Sequence, residues 1–387
     1  MTDAEIFDRD TKPFGGRLDR SIPAGTPAES LHTMVEQAAS GMILSARSHV
    51  PRLPEIHFDF IHNGEINAYA FKSEGRYFVG VTTGTLYMLQ AVLSRMLAER
   101  GLFPTYGNPN DEANDLPPLK GYVPHAQKMC DAGLRPVLPR TLARFQCAGY
   151  FFFKAFLFLL GHEIAHIARG HVDYLEAEAG SPFVAELTGG GTARTPEIER
   201  QTIEMDADMR SIFANAASLE LTTRNAARLQ HPWTSVSPDL ETLIWDWAFA
   251  MHTLFRLFGD IQFRPSELTT ETYPPLPVRR AIARATAYLA FAVRDPAPAR
   301  KEMVLRALTA AGEYCEVAFA KILGTEVSTE GYLAALGPQA KEHHDRLIAC
   351  WYGGLRDRVL AFAYEPELEK QPDSTPESSP YTFELRL

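Results

Sequence analysis

Residues 156–171 read FLFLLGHEIAHIARGH, and this stretch decides the fold. Its first part is apolar. Its second part sets His162, Glu163 and His166 into the same helical pattern. A core helix ordinarily excludes such residues. Positions i and i+4 share one helix face, about a turn apart. Both imidazoles can therefore reach one Zn²⁺ at roughly 2.0–2.1 Å. Glu163 lies beside that face, where it can hold a water and take its proton. A metal thus accounts for the polar side chains in the apolar run.

Three protein ligands and an open position define a catalytic zinc site. His171 follows His162 by nine residues, which on a continuous helix puts it on the opposite side. A helix end at Gly170 would swing it round, but the pattern HExxHxxGxxH places its glycine and third histidine elsewhere, and His171 reads as a capping residue. The segment IEMDAD, Ile203 to Asp208, offers more. Glu204 and Asp208 are i and i+4 on an expected helix, a like-charge pair costing roughly 0.2–0.5 kcal/mol that a nearby cation removes. Glu204 is the expected third ligand. Asp208 is expected to accept the free ring N–H of a zinc histidine.

Composition limits the alternatives. Hydrophobic residues make up 45% and charged residues 22% of the 387-residue chain, as in globular proteins. The net charge of −10 argues against nucleic acid as a partner, since phosphate binding needs a basic face. The opening MTDAEIFDRD is charged and lacks the apolar segment of a secretory signal, so a cytoplasmic location is expected. The most apolar run, Gly149 to Gly161, is shorter than the ~20 residues of a membrane span and contains Lys154, so no transmembrane segment is expected. Cys130, Cys147, Cys315 and Cys350 form no CxxC pair and are expected to be reduced packing residues.

Along the chain, residues 1–27 read as an irregular arm and 28–48 as an amphipathic helix. IHFDFIH alternates as a strand. INAYAFK and RYFVGVTT, joined by SEG, read as a hairpin. TGTLYMLQAVLSRMLAER reads as a helix with Thr83 or Thr85 as its cap. Residues 101–139 are rich in Pro, Gly and Asn and read as a long loop. Residues 179–195 read as a loose linker whose triple glycine lacks a P-loop ending. Further helices are expected at about 140–170, 197–229, 239–259, 277–294, 298–323 and 338–363, and a disordered tail at 365–387.

HExxH followed by ExxxD resembles the gluzincin metallopeptidases, most closely the HtpX/CAAX-prenyl-protease family. LLGHEIAHIARGH is similar to that family's active helix, and IEMDAD to the segment supplying its glutamate ligand. INAYAFKSEGRYFVGVTTGTL resembles its hairpin, and YPPLPVRRAIAR its later proline-containing segment. The resemblance covers about residues 55–285. It implies an α+β, mostly helical fold: a zincin-like core at 28–285 with a small antiparallel β-sheet, then a helical C-terminal region at 286–364. It implies a zinc-dependent endopeptidase with one Zn²⁺ per chain, a protein or peptide substrate, and Glu163 as general base. Tyr273 and Arg279 lead the candidates for stabilising the oxyanion, ahead of Arg280 and His252. Asn67, Ala68, Tyr69 and Ala70 would form the edge to which an extended substrate adds. Tyr273 stands where relatives often carry histidine. The cytosolic phage-exclusion peptidases of the Lit type also carry HExxH and are one alternative. A non-catalytic, metal-stabilised interaction protein is another.

Overall fold

The computed structural model describes residues 1–114, 116–119, 135–180, 183–185, 196–225, 239–259, 268 and 273–365. The arm expected to be irregular opens with a helix, α1 (Asp3–Thr11). Thr2 and Glu5 form a reciprocal capping box around its first turn, which satisfies two amide donors that a short helix would otherwise leave open. Ile6 and Phe7 of α1 pack under the sheet beside Phe71 and Phe78. Helix α2 (Pro27–His49) follows as expected.

Strands β1 (Ile56–Ile61), β2 (Ala68–Ser73) and β3 (Arg76–Thr82) come next. β2 and β3 form the expected hairpin, Ala70 opposite Val79. The sheet is mixed, however, and not antiparallel: β1 runs parallel to β3, with Phe58 opposite Val79. β1 ends at the end of the sheet where β2 begins, so residues 62–67 step across without a crossover. A fourth strand, β4 (Phe183–Ala185), gives the order β1-β3-β2-β4. It lies inside the segment expected to be a loose linker, whose triple glycine falls outside the described residues.

Helix α3 (Thr83–Leu97), capped by Thr82, leads to the long loop. Helix α4 (Leu142–Ala168) carries the opening motif and packs against α3 and the two helices that follow it in the core. These are α6 (Glu197–Asn225) and α7 (Leu240–Phe258), α5 (His171–Ala179) being a short helix directly after α4. By length and composition alone α4 could cross a membrane, but 83% of its most apolar window is buried inside the protein. The rest is α8 (Leu276–Arg294), α9 (Pro298–Leu323), the unanticipated short α10 (Glu330–Ala334), α11 (Pro338–Cys350) and α12 (Arg356–Leu360), the last two joined through a π-turn. The tail after Glu365 and Cys130 lie outside the described residues. Cys147 and Cys315 are buried free thiols, as expected of packing residues.

Two anchors hold α4. At its start Glu112 accepts from the Arg140 and Thr141 amides, and Arg144 donates to five carbonyls: Leu97, Glu99, Leu102, Phe103 and Tyr106. The first part of the long loop is therefore fixed. At the far end, the Tyr364 amide donates to the Ala168 carbonyl at 2.9 Å. Glu365 binds Arg210 at 2.6 Å and lies 3.8 Å from Arg169. Gly170 turns the chain there with φ 78°, and a Cβ on it would lie 2.6 Å from the Phe362 carbonyl carbon.

Candidate metal centre

His162 and His166 sit one turn apart on α4, both about 1% exposed. Glu204 comes from α6, which approaches closely because Gly161 has no side chain. A Cβ there would stand 2.7 Å from the Ser211 hydroxyl, which donates to the Phe158 carbonyl on α4. His162 Nε2 and His166 Nε2 face each other at 2.9 Å. Glu204 oxygens lie 3.3 Å from the first and 3.7 Å from the second. One ligand atom from each of the three converges within 4.8 Å. Ligands at ~2.0 Å in tetrahedral array sit roughly 3.3 Å apart, so the set has the size of a zinc site.

The protonation pattern tests the fit further. His162 Nδ1 lies 2.8 Å from Asp208 Oδ1, and a carboxylate only accepts, so the ring proton belongs on Nδ1. His162 Nε2 then presents a lone pair to the gap. Glu204 Oε2 is buried and makes no hydrogen bond among the described residues. Two lone pairs converging on one buried point repel unless a cation lies between them. The donor set, two imidazoles and a carboxylate, is one zinc accepts. Burial works to raise the Glu204 pKa; in the metal-free protein positive charge on the His166 and His162 rings outweighs it and holds the carboxyl well below its ordinary range, the charge a bound cation would replace. Asp208 is likewise lowered against burial, by Arg279 and His162.

The expected residues are distributed as follows. His162, His166 and Glu204 come together, Asp208 stands behind His162, and Glu163 is buried next to them on α4. Arg279 binds Asp208 through two donors, at 2.6 and 2.9 Å, so its guanidinium braces the aspartate. Tyr273 lies half-buried just ahead of α8. Arg280 and His252 belong to a different buried cluster: Arg280 pairs with Glu316 and approaches His252 Nδ1 at 3.3 Å. β2, which carries Ala68, Tyr69 and Ala70, packs on α4 but is not a free edge. β4 pairs with it from Tyr69 to Phe71. Asn67, one residue ahead of β2, uses its backbone amide on Thr82 and Thr85 and its side chain on Tyr69.

His171 caps nothing. Gly170 breaks the helix and α5 begins at His171, so the ring swings back into the core, fully buried. Its Nδ1 is 3.0 Å from His166 Nδ1, and its Nε2 is 3.2 Å from Asp206 Oδ2. Arg169 holds Asp206 by two further bonds, at 2.8 and 3.0 Å. Burial pushes the His171 pKa down to about 4. The sequence signal for this group was the glycine at position 170, which breaks the helical phase.

The family model of peptidase family M48 matches residues 26–230, more than half of the chain. The chain belongs to peptidase family M48. The match spans both histidines, Glu163, Glu204 and Asp208, and ends before Tyr273 and Arg279. No curated protein and no solved structure matched the chain. As an M48 member with a His-His-Glu cluster in its core, the protein is built as a metallopeptidase.

Proposed function

We propose that this M48 chain is a zinc-dependent endopeptidase in which Glu163 is the general base. The observation that carries the reading is the convergence of His162 Nε2, His166 Nε2 and a Glu204 oxygen on one buried point. Zinc bound there would polarise the scissile carbonyl and make water a nucleophile near neutral pH. Glu163, next to His162, would take the proton of the attacking water and pass it to the leaving amine. Asp208, braced by Arg279, would keep the His162 proton on Nδ1 and its lone pair inward. Tyr273 is the remaining candidate donor to the oxyanion. An extended substrate pairing with β2 would have to engage it beyond, or in place of, β4, which covers Tyr69 to Phe71.

The test is metal content by native mass spectrometry together with hydrolysis of an unstructured protein such as casein. The wild type should carry about one zinc, and Glu204→Ala should lose it. Glu163→Gln should keep zinc and lose about 10²–10⁴-fold in rate. Wild-type protein that takes up no zinc would sink the reading. Zinc retention with equal behaviour of Glu163→Gln and wild type would leave a metal-stabilised interaction protein.

A further inference from the structure

The two metal-facing histidines are braced differently. His162 faces a carboxylate directly, Asp208, itself held by Arg279. His166 faces another imidazole, His171, and the carboxylate comes one step later. We infer that His171 is a positioning residue for the metal centre: it takes the His166 Nδ1 proton in a hydrogen bond and so turns the His166 Nε2 lone pair toward the metal. This rests on the metal-site reading above.

The chain of bonds can be followed from its far end. Arg169 donates twice to Asp206, so Asp206 is an anchored carboxylate with only acceptor oxygens. His171 Nε2, facing Asp206 Oδ2 at 3.2 Å, must carry a hydrogen there. In a neutral ring its Nδ1 is then an acceptor. The atom facing that acceptor at 3.0 Å is His166 Nδ1, which must be the donor. His166 Nε2 is left bare, aimed at the gap it shares with His162 and Glu204.

The other assignments fail. A hydrogen on His171 Nδ1 would set a bare Nε2 against the Asp206 carboxylate at 3.2 Å, too close for a water between them, with the ring itself fully buried. An imidazolium at His171 would donate in both directions. His166 Nδ1 would then have to accept, and its hydrogen would move to Nε2, into the gap. Only a neutral, Nε2-protonated His171 leaves His166 able to bind a cation. The placement depends on the helix break: Gly170, at φ 78°, lets α5 start at the residue that must reach back.

Two variants separate hydrogen bonding from packing. Asn carries its side-chain oxygen where histidine carries Nδ1, so His171→Asn keeps the acceptor. His171→Leu keeps the bulk and loses it. Zinc affinity of the full-length protein, measured by competition with a chromophoric chelator, should fall about 10–100-fold in His171→Leu and stay within roughly threefold of wild type in His171→Asn. Leu binding zinc as tightly as wild type, or Asn as weakly as Leu, would overturn the inference. Should neither variant fold, ¹⁵N spectra of the histidine rings in zinc-loaded wild type decide. The hydrogens are expected on His171 Nε2 and His166 Nδ1, and a hydrogen on His171 Nδ1 refutes the relay. Wild type that takes up no zinc removes the peptidase reading and this inference together. Zinc uptake with unresponsive variants removes this inference alone.

Discussion

Arg279 closes on Asp208 with two parallel donors, at 2.6 and 2.9 Å, and both residues are about 3% exposed or less. Removing one member of such a pair strands the other charge in the core. Arg279→Leu should cost about 3–5 kcal/mol of stability, read from urea unfolding of the metal-free protein. Arg279→Lys should lose less, because an ammonium keeps the charge without the bidentate fork. Equal unfolding midpoints for wild type and Arg279→Leu would show that the brace does nothing.

The close approach of α4 and α6 at Gly161 makes a second prediction. In Gly161→Ala the new methyl would meet the Ser211 hydroxyl at 2.7 Å and the Met42 methyl at 3.0 Å. Forcing the helices apart should cost about 1–3 kcal/mol. Glu204 moves with α6, so zinc per folded chain should fall as well. Thermal melts and native mass spectrometry on the same sample measure both.

Arg144 tests stability away from the metal. It is fully buried and donates to five carbonyls between Leu97 and Tyr106. Arg144→Met leaves those acceptors and Glu112 without its charge, and should destabilise by about 3–5 kcal/mol. Zinc per folded chain should stay the same. A loss of zinc in parallel with stability would mean that the loop and the metal centre are coupled.

His32 and His343 are buried, 2% and 1% exposed, and burial lowers each to about 4. His32 meets the Tyr87 hydroxyl and lies 4.7 Å from the Phe60 ring; His343 Nε2 faces the Gln201 oxygen at 2.6 Å. The unfolded chain protonates such rings near pH 6.5, while the folded chain resists until about 4. Between these values the unfolded state binds more protons, so stability must fall as the pH falls. Each ring adds a slope of at most about 1.4 kcal/mol per pH unit. Urea midpoints at several pH values should drop through this window, and His32→Gln should flatten the drop. A midpoint independent of pH would contradict the burial of these rings.

The parts of the site that follow helical phase were legible in the sequence. His162 to His166 and Glu204 to Asp208 are each one turn apart within one helix, and those spacings survive folding because backbone geometry fixes them. The relay through His171 was not, because Gly170 resets the phase and a count of 100° per residue points the ring the wrong way. The resemblance names Arg279 as an oxyanion candidate; its bond to Asp208 was not legible, since which carboxylate meets it depends on how α8 packs on α6. The parallel pairing of β1 and the three residues of β4 depend on non-local register, which alternation within a segment does not encode. Thr2 and Glu5 had the capping-box spacing all along, and the helix they start was readable from it.

The metal helix is finished by residues that come far later in the chain. Tyr364 and Glu365 occupy the Ala168 carbonyl and the arginines beside it, and the backbone at Phe362 fills the space Gly170 leaves. During synthesis α4 and α6 leave the ribosome well before those residues. A nascent chain can therefore carry both histidines and Glu204 while the end of α4 next to His171 is still open. A segment translated long after α6 closes this end of α4, and the finished surroundings of the centre wait for it.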